Sequence, residues 1–327
     1  MVEPRAAVSD APPLRGGLAL VVAAAALITG CAAEIARPPV AAPIAAPPAR
    51  EVVVVAPPPK EPAPPPEPEP PKGDGPLLAL PVRARTMESG TAFLKRTASL
   101  GRAAFEREAF EAITHGNVPL FERRLQPVRL SSVDRRGKRH EAIIFVLPDY
   151  LAVGSDDDFL RLPMTPATAQ RIATLARCSL PTRRLVDEIY KQAKVKLAPK
   201  WIDGGPDITN RWEFATHNAE VEQQRAAARV EPGDLTAGDK KDIVISNRLL
   251  KHPGKVAIYG WHKGDGRVIQ HLSTAHARIY ADYSHGVRLV AEDAVVDGEP
   301  RELADVLRDP LLAGLVSDEG PLKVVAY

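Results

Sequence analysis

The sequence predicts an α+β fold: an antiparallel sheet with helices packed on one side, preceded by a disordered Pro-rich linker. Three observations carry that expectation. Runs with helical spacing and runs with strand alternation lie in separate blocks, not in a regular strand–helix alternation. Short glycine-bearing segments, "DRRGK" (134–138) and "KGDG" (263–266), join neighbouring strand-like runs and suit hairpins. Proline crowds the stretch 37–75, where its fixed φ and missing N–H exclude helix and sheet.

The N-terminus comes first in the chain. Arg5 and Arg15 precede the apolar run Leu18–Gly30. That run falls short of the ~20 residues a membrane span needs, and has the length of a signal-peptide core. It ends in "ITGC" (28–31), which resembles the lipobox of bacterial lipoproteins. The resemblance implies a lipoprotein signal peptide over 1–30, cleavage before Cys31 and diacylation of its sulfur. Acylation of the new amine usually follows. Several chains on one residue meet the need for two membrane signals. Ala32 and Ala33 follow, with no aspartate directly after the cysteine. By the same resemblance this favours the outer membrane, on its periplasmic side or at the cell surface.

Residues 31–75 are then a lipidated N-terminus and linker. "APPPKEPAPPPEPEPPK" (56–72) favours polyproline II, rising ~3.1 Å per residue. About 35 such residues reach on the order of 100 Å, enough to hold a domain off the membrane and toward the wall.

Residues 76–327 have the length of a single α+β globular domain. Residues 89–114 predict a helix interrupted near Gly101, with Phe105, Ala109 and Ala112 on one face; Gly116 and Pro119 end it. "QPVRLSSV" and "HEAIIFVL" flank "DRRGK" as a hairpin. "YLAVG" and "DFLRLPM" are short strands around the "SDDD" turn (155–158). Thr165 is placed to cap a helix beginning at Pro166. A further helix takes Pro181 in its first turn, with Leu185, Ile189 and Ala193 facing the core and Val186 and Tyr190 beside them. A loop around Gly204 leads to a helix near 211–229. Strands are expected at 241–246, 255–261, 266–272 and 285–291, with "DAVVDG" (293–298) a further short one. "PRELADVLRDPLLAGLV" (300–316) predicts a last helix. "KKD" (240–242) reads as the solvated start of a strand.

Composition sets limits on function. The net charge is +2, which gives no electrostatic case for nucleic acid. No cofactor is implied. The chain has 2 cysteines. With Cys31 lipidated, Cys178 has no partner for a disulfide in an exported setting.

Cys178 stands two or three residues before a predicted helix start, with Arg177, Arg183 and Arg184 near in sequence. A helix N-terminus and nearby cations favour thiolate. The order of Cys178 and then His285 in "SHGVRLV" resembles NlpC-type, papain-like cell-wall cysteine hydrolases. That resemblance implies Cys178 as nucleophile, His285 as base at the mouth of a strand, and Asp282 or His276 orienting it. The substrate would be a wall peptide of peptidoglycan. Trp261, Tyr280 and Tyr283 are candidates for a substrate subsite, because flat amphipathic rings bind sugars and peptides.

Two alternatives stay open. In one, the domain is a non-catalytic envelope binding or structural lipoprotein whose aromatic, histidine-rich surface holds a ligand. In the other, it is a metal-dependent hydrolase with His262, His276 and His285 as ligands; "STAHARIYADYSH" (273–285) resembles the histidine–aspartate run of zinc D,D-peptidases. "SHGVRL" (284–289) resembles the end of the L,D-transpeptidase motif, but Val287 stands where that chemistry needs cysteine. Most of residues 140–290 also resembles a group of uncharacterised exported bacterial proteins, through "CSLPTRRLVDEIY", "KDIVISNRL", "KVAIYGWHKGDGRVIQHL" and "YADYSHGVRLV".

Overall fold

A computed structural model of the chain describes residues 74–202 and 207–327. The signal peptide, Cys31 and the linker through residue 73 lie outside the described residues, as does Gly204. All the described residues fall within one compact unit.

The interrupted helix is two helices, α1 (Gly90–Thr97) and α2 (Arg102–Thr114), with Gly101 extended at the break. The Ser89 hydroxyl caps α1 by accepting from the Ala92 N–H. The hairpin pairs β1 (Gln126–Val133) with β2 (Arg139–Val146). The Asp134 carboxylate closes its turn by accepting from the N–H groups of Arg136 and Lys138. Gly137 supplies the left-handed backbone there, at φ +83°. β3 (Ala152–Gly154) and β4 (Phe159–Arg161) form a second, shorter hairpin around the "SDDD" turn.

Pro166 opens α3 (Pro166–Leu175), and Thr165 has the extended backbone of a cap. Its N–H and hydroxyl both donate to Glu106 of α2, so the residue clamps two helices instead of capping one. After β5 (Cys178–Ser179), Thr182 caps α4 (Arg183–Gln192), which buries Leu185, Val186, Ile189 and Tyr190. β6 (Val195–Lys196) leads on to α5 (Arg211–Ala228), capped by Asn210, and then to β7 (Thr236–Ala237).

The remaining strands are β8 (Lys241–Ile243), β9 (Ile258–His262), β10 (Val268–Ser273), β11 (His285–Gly286), β12 (Val290–Ala291), β13 (Asp293–Val296) and β14 (Glu299–Glu302). Pro310 divides the last expected helix into α6 (Leu303–Arg308) and α7 (Ala313–Val316), as the lost N–H requires. Asp309 bridges the break by accepting from the N–H groups of Leu311 and Leu312.

The α+β class is as expected, with its strands divided between sheets. One sheet runs β14-β13-β2-β12-β5, with β1 also on β2, and all its pairs are antiparallel. The helices α4 and α7 pack on β1, and α3 packs on β5. A second sheet runs β10-β9-β8-β11, its last pair parallel. The expected strand 285–291 is thereby two strands in two sheets. Between them the carbonyls of Val287 and Leu289 accept from the N–H groups of Leu151 and Leu147, so the crossing stays hydrogen-bonded. Arg288 points inward there, 1% exposed, and donates to the carbonyls of Leu147 and Thr236.

The core combines aromatic packing with buried charge. Phe105 lies edge-on to Phe93 of α1 at 5.9 Å and to Phe214 of α5 at 6.3 Å. Beside β4, Asp149 receives a two-pronged bond from Arg161 at 3.0 and 2.8 Å and a third from Arg225 of α5 at 2.7 Å. Asp149 and Arg161 are each 1% exposed. Burial alone would raise the Asp149 carboxyl, but the two guanidinium charges outweigh it and hold the group well below the ordinary carboxylate range.

Removing one member of a buried ion pair leaves an uncompensated charge, at a typical cost of ~3–5 kcal/mol. Asp149→Ala is therefore expected to lower the unfolding free energy by about that amount. Urea unfolding of wild type and variant measures it; a loss under ~1 kcal/mol would show that Glu222, already 2.7 Å from Arg161 and 3.3 Å from Arg225, compensates both guanidiniums.

Candidate functional site

Four of the expected site residues meet on the segment 276–285. The His276 ring stacks on Tyr280 at 4.1 Å, with 11° between the planes. The Tyr280 ring lies edge-on to His285 at 5.6 Å. The Tyr280 hydroxyl donates to Asp282 Oδ2 at 2.9 Å. Asp282 Oδ1 accepts from the Ser284 N–H and hydroxyl at 2.8 and 2.6 Å, a local Asx turn. The three rings descend from solvent: His276 is exposed, Tyr280 half-buried and His285 1% exposed.

His285 sits at the start of β11, where its backbone pairs with Lys241 of β8. Gly286 follows because the strand passes close to other side chains. A Cβ there would lie 2.4 Å from the Tyr150 ring and 2.8 Å from Lys240 Cβ. Among the described residues, neither ring nitrogen of His285 has a hydrogen-bond partner. Burial pushes the imidazole down to about 4, against the pull of Asp282 and assisted by Lys241, His276 and Lys240. It is neutral at pH 7, with one N–H donor and one acceptor. Burial would raise Asp282, yet His285, the Ser284 bonds and Lys241 hold it below its ordinary value. With His285 uncharged near neutrality, the Ser284 bonds and Lys241 are the contributions that persist there.

Cys178 is in a different place, and its expected role needs correction. It lies within β5, opposite Ala291 of the first sheet, and the helix after it begins only at Arg183. The thiol is 2% exposed and donates to the Ala176 carbonyl at 3.3 Å. Burial, then Glu292 and Asp293, pushes it up to about 12. The three neighbouring arginines are engaged elsewhere. Arg177 faces Asp293 at 3.5 Å, Arg183 pairs with Asp318 at 2.7 Å, and Arg184 donates to the Leu315 and Ser131 carbonyls. Among the described residues, no hydrogen bond joins Cys178 to His285, and the charges that act most on each are different. The strand places the thiol as a small core side chain.

The metal alternative also needs correction. His262 bonds to Asp187 at 3.0 Å and stacks on Tyr190, apart from the column of His276 and His285. No group of three or more His, Cys, Asp or Glu side chains able to hold a metal forms among the described residues. Of the expected aromatic subsite, Trp261 (3% exposed) and Tyr283 (7%) are core residues, and Tyr280 alone reaches solvent. Trp261 has a left-handed backbone, φ 59°, beside Gly260 at φ 115°. That kink turns its indole inward to donate to the Asp239 carbonyl at 3.0 Å. Lys241 Nζ sits 4.6 Å above the ring, and exposed Trp201 packs against it at 4.8 Å.

"KKD" (240–242) departs most from its sequence reading. Lys240 and Asp242 are buried. Lys240 Nζ donates to His217 Nδ1 at 2.9 Å and to the Tyr283 carbonyl at 2.7 Å. Burial pushes this lysine down to about 7 and His217 down to about 2. Asp242 is pushed up to about 7 by burial while accepting from the Tyr150 hydroxyl at 3.0 Å. The only signal in the sequence was the apolar "IVI" that follows, which marks a strand buried on both faces. His217 carried none.

Comparison of the chain with protein-family models, curated proteins and solved structures finds no match.

Two outcomes follow. In a Cys31→Ser chain the one remaining thiol should resist iodoacetamide near neutral pH while folded and label fully in denaturant. Fast labelling of the folded protein would restore a reactive Cys178. Second, His285 binds a proton less readily when folded (about 4) than when unfolded (6.5). Stability is therefore lost as pH falls from 6.5 to about 4, by ~3 kcal/mol at ~1.4 kcal/mol per pH unit, and not further below. His285→Gln should flatten the stability–pH curve across that interval in denaturant titrations; an unchanged slope would contradict the buried neutral imidazole.

Proposed function

We propose that the chain is a lipid-anchored cell-envelope protein, tethered through Cys31, whose α+β domain binds a wall component such as peptidoglycan without cleaving it. The observation that carries this reading is the surface around the 276–285 segment. Large apolar side chains are exposed there. Trp201 (63% exposed) packs on Trp261, Ile208 (37%) precedes α5, Trp212 (52%) is in its first turn, and Ile279 (70%) adjoins Tyr280. The Ile208 carbonyl accepts from the Tyr283 N–H, tying the approach to α5 onto this same segment. Exposed tryptophans beside stacked histidine and tyrosine rings suit the apolar faces of sugars and peptides. The thiol that a cysteine hydrolase would require is enclosed in the other sheet.

Sedimentation with purified peptidoglycan tests the proposal. Full-length protein and Cys178→Ala should co-sediment equally and release no soluble fragments. Trp212→Ala and the double variant His276→Ala/Tyr280→Ala should each bind about tenfold more weakly, the loss of roughly one aromatic contact. Release of fragments by wild type but not by Cys178→Ala would favour the cysteine hydrolase instead. Labelling with radioactive palmitate, lost in Cys31→Ser, checks the anchor.

A further inference from the structure

A cleft of about 540 Å³ opens between α4, β6 and the β9–β10 hairpin, away from the 276–285 segment. Its volume is in the range of small-ligand sites, roughly 300–1,000 Å³. Its floor is polar and hydrogen-bonded. Asp187 Oδ1 accepts from the Tyr259 hydroxyl at 2.9 Å and meets His262 Nε2 at 3.0 Å. Asp187 Oδ2 has only a longer contact with the same hydroxyl, at 3.2 Å. His262 is fixed from the side by Tyr190, stacked at 4.3 Å, whose own hydroxyl donates to the Lys263 carbonyl at 2.6 Å. The carboxylate is thus held in place with one oxygen largely uncommitted and its side chain 32% exposed.

Four charged side chains besides His262 line the cleft, and they are not equivalent. Lys191 is paired with Glu188 at 2.8 Å, and Asp265 with Arg267 at 2.7 Å. Lys196 has no carboxylate partner among the described residues. Its Nζ donates to the Lys191 carbonyl at 3.3 Å and sits 5.5 Å above the Tyr190 ring. Among the described residues, Asp187 has no lysine or arginine partner, and its one ion-pair contact is His262. One carboxylate without a lysine or arginine partner and one ammonium without a carboxylate partner, among the described residues, therefore line the same space. Gly264 and Gly266 in the turn leave its mouth open: a Cβ at Gly264 would meet nothing within 4 Å.

We infer that this cleft binds a small zwitterion, an amino acid or a dipeptide. Its ammonium would lie on Asp187 and its carboxylate on Lys196. The inference is independent of the wall-binding reading, because it uses none of the same residues.

Calorimetric titration of the purified full-length protein with the dipeptide Ala-Ala, in both L and D forms, tests it. Saturable binding of at least one form is expected. Acetylating the amine or amidating the carboxylate should each weaken it by about tenfold or more, the worth of one charge-assisted bond. Asp187→Asn and Lys196→Gln should do the same while leaving the melting temperature near wild type. Lys138→Gln, in the turn of the first hairpin and not among the residues that line the cleft, should bind as wild type does. Lys196→Gln lies on the exposed rim and keeps the test sharp should Asp187→Asn unfold. Absence of binding, equal binding of the blocked dipeptides, or binding only of an uncharged sugar such as the N-acetylglucosamine trimer would overturn the inference.

Discussion

The fold depends on one buried carboxylate. Asp149 follows the first hairpin, Arg161 belongs to the second, and Arg225 lies on α5, so a single charge joins three separate parts of the chain. Asn218, also on α5, adds a further tie: its Oδ1 accepts from Arg161, and its amide donates to the Phe159 carbonyl. Such a cluster is costly to desolvate, and well-packed apolar groups of similar volume are often as stable. It does supply direction. Hydrophobic side chains tolerate many packings, whereas a forked guanidinium on a carboxylate accepts one. The placement of α5, and with it Phe214 and His217, follows from that geometry.

Much of this was legible in the sequence where local chemistry decides. Gly101 separates two helices, Gly137 closes a hairpin, and Thr165-Pro166 stands at a helix start. These signals act within a few residues and need no knowledge of the rest of the chain. The candidate site was partly legible for the same reason. His276, Tyr280, Asp282 and His285 lie within ten positions of one another, and the turn made by Asp282 and Ser284 is enough to gather them.

Long-range partners were not legible. Arg177, Arg183 and Arg184 surround Cys178 in sequence, yet acidic and carbonyl groups from distant segments take up all three, leaving the thiol among apolar neighbours. Lys240 and Asp242 carry charge, the usual mark of solvent, but His217, Tyr283 and Tyr150 offer enough hydrogen bonds to keep them inside. The run 285–291 alternates like one strand, and nothing local tells that Leu147 and Leu151 will take its middle carbonyls.

That divided run has a consequence for how the domain can come apart. Three residues, Val287 to Leu289, separate a strand of one sheet from a strand of the other, and all three are fixed by bonds to the chain after β2. Slack between the sheets is therefore absent at this point. Loosening either one pulls directly on its neighbour, so the two sheets are expected to unfold together and not as separable modules.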